Sequence, residues 1–493
     1  MTLETLEPQK GHSKSYEAEL NDWISSERAA ISLISTIGNL WFEKSVELVI
    51  FRNQLIDRSA SEILNLHQYA KDIVKRPINV KDTASIATEL LNLDLVPSRI
   101  DIGRLCSEWN EEGKSYKDMH SFVTDKLRTF IGSEKGKLTP KDVVLFGFGR
   151  IGRLAARELI AQAGKGEQLR LRAIVTRGNS PEEIVKRADL LRVDSVHGQF
   201  PGTIIEDIEN RALIINGHTV HMINANNPED VDYTKYGIDN ALLIDNTGVY
   251  RDRDGLSRHL KAKGISKVLL TAPAKGDVPN VVYGVNHETV DISNESVFSA
   301  ASCTTNAIMP ILYVIDKELG VVKGHIETVH SYTNDQNLLD NYHKKYRRGR
   351  SAALNMVITE TGAESALKKV LPQLSGKFTA NSVRVPTPNV SLAILNIEIK
   401  KEVTKEDVNN IIREYALKGN LVEQIQYAFS NELVSSDVIG NSCPSVFDSQ
   451  ATIVSADKKS IVLYVWYDNE YGYTRQVIRF SKQLAEVRRA VYY

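Results

Sequence analysis

The chain has little cysteine: Cys106, Cys303 and Cys443 are the only three in 493 residues, and they lie far apart. There is no C-x-x-C pair and no clustered Cys/His spacing, so neither a disulfide framework nor a metal site is predicted, and the usage fits a reducing compartment. Charge of one sign is also missing. Lys and Arg number 61 and Asp and Glu 62, a formal net charge of −1. That leaves no global basic signature for nucleic acid or an anionic membrane. No apolar run approaches the roughly 20 residues of a membrane span. The opening Met1-Thr2-Leu3-Glu4 lacks a signal-peptide pattern. A cytoplasmic protein of two to four domains is expected.

The first 135 residues read as all-helical. Leu20, Trp23, Ile24, Ala30, Ile31, Ile34 and Ile37 recur at helical spacing, and Val46, Val49, Ile50, Ile56, Ile63 and Leu66 extend the pattern through residues 41–69. Pro77 ends that run, and shorter helices are predicted near 82–93, 101–111 and 115–131. His67 and His120 are isolated and read as packing or surface residues, and Cys106 reads as core. No catalytic constellation stands out here. Residues 132–140 have linker composition.

Chemistry begins beyond the linker. Val143-Val144-Leu145-Phe146 reads as a buried strand, followed by Gly147-Phe148-Gly149-Arg150-Ile151-Gly152 and a helical pattern. This is G-x-G-x-x-G in its required context. Its glycines let the backbone turn tightly and approach a pyrophosphate at a helix N-terminus. The next strand, 171–175, ends at Thr176-Arg177-Gly178 without the acid that usually bonds a ribose 2′-hydroxyl, and none appears until Glu182. Arg177 either pairs with a 2′-phosphate, which admits NADP, or points to solvent while NAD binds through other contacts. Strands at 242–245 and 268–270 lead into Asn246-Thr247-Gly248 and Thr271-Ala272-Pro273, and 199–220 reads as a hairpin insert turning at Asn216-Gly217. A second stretch, Ser302-Cys303-Thr304-Thr305-Asn306, sits between a short apolar strand and a helical pattern. It places Cys303 at a helix N-terminus, where free N–H groups and the dipole favour a thiolate.

Further segments complete a pattern: Asp194-Ser195-Val196-His197-Gly198, Thr328-Val329-His330-Ser331-Tyr332-Thr333-Asn334-Asp335-Gln336, Thr361-Gly362-Ala363, Arg384-Val385-Pro386-Thr387-Pro388 and Trp466-Tyr467-Asp468-Asn469-Glu470-Tyr471-Gly472-Tyr473. With them, residues 142–492 resemble the phosphorylating glyceraldehyde-3-phosphate dehydrogenase family over nearly their whole length. The resemblance implies an α/β fold: a Rossmann domain over 142–302, a mixed-sheet α+β catalytic domain over 303–472, and a last helix, 473–493, returning to the Rossmann domain. The all-α extension stands outside it. A homotetramer is also implied.

Residue by residue, the resemblance makes Cys303 the nucleophile and His330 its base, lowering the thiol pKa. Aldehyde oxidation then passes through a thioester that phosphate cleaves. It puts Arg348 and Arg384, with Ser302, Thr304, Thr333, Asp335, Thr361 and Gly362, around the substrate phosphate and inorganic phosphate. It puts Gly147, Gly149, Arg150, Ile151 and Gly152 at the cofactor pyrophosphate, and Thr247, Gly248, Thr271, Asn469 and Tyr473 along the adenine and nicotinamide pocket. Three departures stand out: the missing acid near Arg177, Ala307 where the family often has a second cysteine, and the extension. The rival readings are a dehydrogenase of another phosphorylated aldose, such as erythrose 4-phosphate, and a scaffold whose helical part recruits an unknown partner. The basic run 344–350 is not expected to bind nucleic acid.

Overall fold

In a computed structural model the described residues are 15–72, 74–132 and 138–493, so the centre of the expected linker, 133–137, lies outside them. The chain forms two compact units, Met1–Lys137 with Arg489–Tyr493, and Leu138–Arg488. No helix among the described residues is long and apolar enough to cross a membrane, and none of their His, Cys, Asp and Glu side chains cluster as a metal site.

The larger unit holds two eight-stranded sheets. The first runs Val297–Ser299, Ile265–Leu270, Ala241–Asp245, Lys141–Phe146, Leu169–Thr176, His218–Asn224, Ala212–Ile215, Ile204–Asp207. Its first six strands are parallel, and the central Ala241–Asp245 is buried along its whole length, as a strand covered on both faces must be. The expected turn at Asn216 and Gly217, both with positive φ, joins Ala212–Ile215 antiparallel to His218–Asn224, and Ile204–Asp207 adds antiparallel at the outer edge. The second sheet is mixed, with Phe378–Val385 parallel and Ser391–Ile399 antiparallel to its long strand Val321–Ser331. The helices Cys303–Leu319, Ala363–Val370 and Lys405–Leu417 share one buried core with that sheet: Ile308, Leu312 and Ile315 meet Leu367, Ile412, Leu395 and Leu463. The helix Tyr471–Leu484 returns to the first sheet, burying Val477, Phe480 and Leu484 in its core.

The smaller unit corrects the all-helical expectation. Among the described residues it has five α-helices, but also a four-stranded sheet built on Glu47–Ile50 and Ser98–Asp101. Residues 47–50 fall inside the stretch read as a second helix. All four are buried, and they turn through Phe51 and Arg52, both left-handed. Asp101 holds that turn, accepting from Phe51 N–H at 2.9 Å and Arg52 N–H at 3.2 Å. A short buried apolar run carries no period that separates strand from helix. The expectation for 473–493 is corrected as well: the helix ends at Leu484, and Ala490–Tyr492 is a strand of the smaller unit. His67 is a packing residue bonded to Ile63 carbonyl and Thr83, Cys106 is core, and His120 is an exposed partner of Glu89.

Candidate active site

The nucleophile turn is over-determined. Ala301 has φ 58°, a left-handed conformation that a residue with a Cβ rarely adopts. Its N–H donates to Ser299 Oγ (3.0 Å), and its carbonyl accepts from Tyr473 Oη (2.9 Å). Ser302 is the N-cap of the helix Cys303–Leu319, its Oγ accepting from Thr305 N–H at 3.0 Å. Asn306 Nδ2 closes the turn on the carbonyls of Ala300 and Ser302. Cys303 is thus the first residue of the helix, with Sγ 3.7 Å from His330 Nε2. His330 Nδ1 donates to the Ser331 carbonyl at 2.7 Å. That bond fixes the tautomer and leaves the Nε2 lone pair facing the thiol.

The charge states differ from the expectation. Burial pushes the Cys303 thiol up, and Arg384 and the N–H groups of the helix start pull it back only in part. Burial, and after it Arg384, draws His330 down to about 4. The resting pair is therefore a neutral thiol beside a neutral imidazole, because the site takes both groups out of water faster than its cations compensate.

Arg384 pairs with His330 in strand register. Its Nη1 donates to Ser331 carbonyl (3.1 Å) and Thr333 Oγ1 (3.0 Å), while its Nε is buried with no hydrogen-bond partner among the described residues. A buried guanidinium N–H left open suits an anion. Arg348 donates to Thr359 Oγ1 through Nε (3.1 Å) and Nη2 (3.0 Å), and to Asp335 through Nη1. Thr333 also donates to Asp335, so that carboxylate braces both arginines.

A cavity of about 340 Å³ opens over the thiol. Ser302, Cys303, Thr304 and His330 line it together with Arg348, Thr361, Gly362 and Arg384. Thr333 and Asp335 stand behind the arginines rather than on the wall. Sequence reasoning missed Lys345, Glu360 and Lys369, which line it too. Lys369 Nζ donates to the carbonyls of Ala274 (2.9 Å) and Gly276 (3.1 Å), and Lys345 faces Glu360 at 3.5 Å. The signal for Lys369 was its place on the helix that Thr361-Gly362 begins. Tyr467, quoted only as motif, shares a hydroxyl bond of 3.0 Å with Thr304 and sets its ring edge-on to His330.

The second feature is a crevice at the strand ends of the first sheet. The chain order reverses at Lys141–Phe146, the switch point where such sheets take ligands. Gly147 has φ 94°, and a Cβ there would lie 2.9 Å from Thr247 Cγ2. The helix Arg150–Ala161 starts at Gly149 without a side-chain cap, and nothing lies within 4 Å of where a Gly149 Cβ would sit. An uncapped helix start beneath open space fits a pyrophosphate.

Two family descriptions match this chain: the NAD binding domain of glyceraldehyde 3-phosphate dehydrogenase over residues 141–253, and its C-terminal domain over 302–469. A glyceraldehyde-3-phosphate dehydrogenase from Priestia megaterium is 40% identical over 339 residues, 69% of this chain and 96% of that protein. The chain belongs to the glyceraldehyde-3-phosphate dehydrogenase family. A glyceraldehyde-3-phosphate dehydrogenase-like protein from Pseudomonas aeruginosa is 47% identical over 458 residues, 92% of this chain and 98% of that protein, so that match reaches well into the N-terminal extension. A chloroplastic glyceraldehyde-3-phosphate dehydrogenase A from Zea mays is 37% identical over 370 residues, 75% of this chain and 89% of that protein. The family match at the crevice supports a nicotinamide dinucleotide cofactor.

Within this dehydrogenase-family crevice the expected cofactor residues divide. Gly147, Gly149 and Gly152 shape the helix start, with a Cβ on Gly152 only 2.5 Å from Gly147 O. Ile151 packs on the core beneath them. The Arg150 guanidinium is engaged by Glu470 and by Asp194 (3.1 Å twice), which leaves its backbone for a pyrophosphate. Thr247 and Thr271 spend their hydroxyls on Asp245, at 2.6 and 3.1 Å, and with Gly248 they build the wall. Asn469 Oδ1 accepts from Ser331 (2.8 Å) and Ser391 (3.2 Å), and its Nδ2 has no partner among the described residues. Tyr473 is a core residue whose hydroxyl serves the nucleophile turn. Arg177 is exposed just past its strand. The next helix brings a carboxylate near this strand end: Glu183 folds back over Gly178, within 2.6 Å of where a Cβ would sit, and accepts from Ser180 N–H at 3.0 Å. Ser180 and Glu183 form a capping box, a spacing readable in the sequence.

Proposed function

We propose that the chain oxidises glyceraldehyde 3-phosphate, with inorganic phosphate, to 1,3-bisphosphoglycerate through a thioester on Cys303. The observation that carries this is one cavity joining a thiol, an oriented imidazole and two arginines. The thiol proton passes to His330 Nε2 as Sγ bonds the aldehyde carbon. The imidazolium so formed donates to the developing oxyanion. Asn469 Nδ2 would hold the amide of a bound nicotinamide ring, which would supply the hydride acceptor for oxidation of the hemithioacetal to the thioester. Arg348 and Arg384, braced by Asp335 and Thr333, hold the substrate phosphate and the attacking phosphate. Phosphate oxygen then bonds the acyl carbon, the C–S bond breaks, and the thiolate leaves to be reprotonated. Arg177 admits NADP, while Glu183 next to it keeps NAD competitive by opposing a 2′-phosphate. Assembly as a homotetramer and a cytoplasmic setting belong to the same reading.

The test is steady-state turnover of glyceraldehyde 3-phosphate with NAD and NADP in parallel, with and without phosphate. Turnover should require phosphate and vanish in Cys303→Ser. Arg177→Ala should raise KM for NADP about tenfold and leave NAD within about twofold, the loss of one charge-assisted contact. Turnover indifferent to phosphate, or a higher kcat/KM for erythrose 4-phosphate, would overturn the assignment.

A further inference from the structure

The sheet of the smaller unit takes its fourth strand from the other end of the given sequence. Ala490–Tyr492 lies parallel to Ser98–Asp101, with Ala490 against Ser98, Val491 against Arg99 and Tyr492 against Ile100. The side chains of this short segment meet specific partners. Arg489 is 8% exposed, its guanidinium 3.5 Å from the Glu47 carboxylate and 4.5 Å above the Trp41 ring. Tyr492 Oη donates to Glu108 at 2.6 Å. Its ring lies beneath the Arg104 guanidinium (5.0 Å) and edge-on to Phe130 (6.0 Å). The Arg99 guanidinium sits 5.6 Å from the Tyr493 ring centre.

We propose that the N-terminal unit is a strand-binding module whose ligand is the extended segment 489–493, a short basic and aromatic peptide. The backbone ladder along Ser98–Asp101 supplies affinity, as in other additions of a strand to a sheet edge. The Glu47–Trp41 slot reads Arg489, and the Arg104–Glu108–Phe130 slot reads Tyr492. Glu47 is only 7% exposed, so the cation that enters its slot completes the neutralisation of a buried carboxylate. Occupancy by the chain's own segment covers an edge that would otherwise template association. This gives the extension a recognition role separate from the dehydrogenase cavity.

The test compares the full chain with one ending at Arg488, and with the full-length double variant Arg489→Ala/Tyr492→Ala, by limited proteolysis within residues 15–132. Both variants should be cleaved at least about tenfold faster, since the rate tracks local opening. Synthetic Arg-Ala-Val-Tyr-Tyr added in trans should restore protection saturably. The same peptide carrying Tyr492→Ala should need at least about tenfold more to do so. Unchanged cleavage in both variants would overturn the proposal. So would faster cleavage that the peptide does not slow, since the segment would then be ordinary fold rather than a separable ligand.

Discussion

The cofactor-free protein should show no titration of its nucleophile near neutral pH. His330 is drawn down to about 4, so at pH 5.5 about 97% of it is neutral, where an unperturbed histidine would be about 90% protonated. The drop from 6.5 to about 4 amounts to about 3 kcal/mol in favour of the neutral ring. Its sign against stability is set by proton binding. Between pH 6.5 and 4 the unfolded chain holds a proton at this residue and the folded chain does not. The residue is therefore indifferent above 6.5 and removes up to about 3 kcal/mol as pH falls through that window. Catalysis inherits the same asymmetry. Moving the proton from an ordinary thiol near 8.5 to a ring near 4 costs roughly 6 kcal/mol before the attraction between the new charges is counted, and burial of Cys303 adds to it. The thiolate is then made as it attacks rather than stored.

Alkylation by iodoacetamide from pH 4.5 to 9.5 measures this. Cys106 and Cys443 are buried and Cys303 is partly open, so the label reports the nucleophile. The rate should still be climbing at pH 9.5, in the native protein and in His330→Gln alike, with no step between pH 5.5 and 7.5. A reactive plateau already present at pH 6.5, and abolished by His330→Gln, would refute the burial argument and show a thiolate–imidazolium pair at rest.

Arg384→Ala should cut kcat/KM for the phosphorylated aldehyde by about 30- to 150-fold, the worth of a charge-assisted contact of 2–3 kcal/mol, and Arg384→Lys should recover little of it because the fork is lost; steady-state kinetics decides. Glu470→Gln should raise KM for the dinucleotide about tenfold with kcat within about twofold, because Arg150 loses the carboxylate that holds its side chain out of the pyrophosphate space. Gly147→Ala should weaken dinucleotide binding by at least about 2 kcal/mol, combining left-handed strain with a clash at Thr247; fluorescence titration with the cofactor measures it.

The catalytic half was legible because its chemistry demands particular residues at particular turns. A nucleophile that must sit at a helix start needs a cap before it, and Ser302-Cys303-Thr304-Thr305 states both. A pyrophosphate loop needs glycines where a Cβ would collide, and Gly147 and Gly152 state that. Charge states were not legible. The dipole argument for a Cys303 thiolate was sound locally, but it omitted the desolvation that only the packed site reveals. The roles of Asp335 and Tyr473 were also hidden. Both act through a second group, Asp335 through Arg348 and Thr333, Tyr473 through the Ala301 carbonyl, and a motif does not say what a side chain leans on.

Two further features turn on groups outside the local segment. No acid ends the strand before Arg177, as read, but Glu183 of the next helix folds back over Gly178, because a capping box brings its N3 side chain over the preceding turn. Residues 47–50 were read as helix because their strand partners lie elsewhere: Ser98–Asp101 on one side is some fifty positions on, and the strand beyond that comes from residues 490–492. A short buried run such as Leu48-Val49-Ile50 satisfies either conformation, and the choice falls to whichever edge is available to pair. The N-terminal unit therefore depends for its architecture on a segment that local pattern reading places in another domain. That dependence, rather than helical propensity, is what its stability should be tested against.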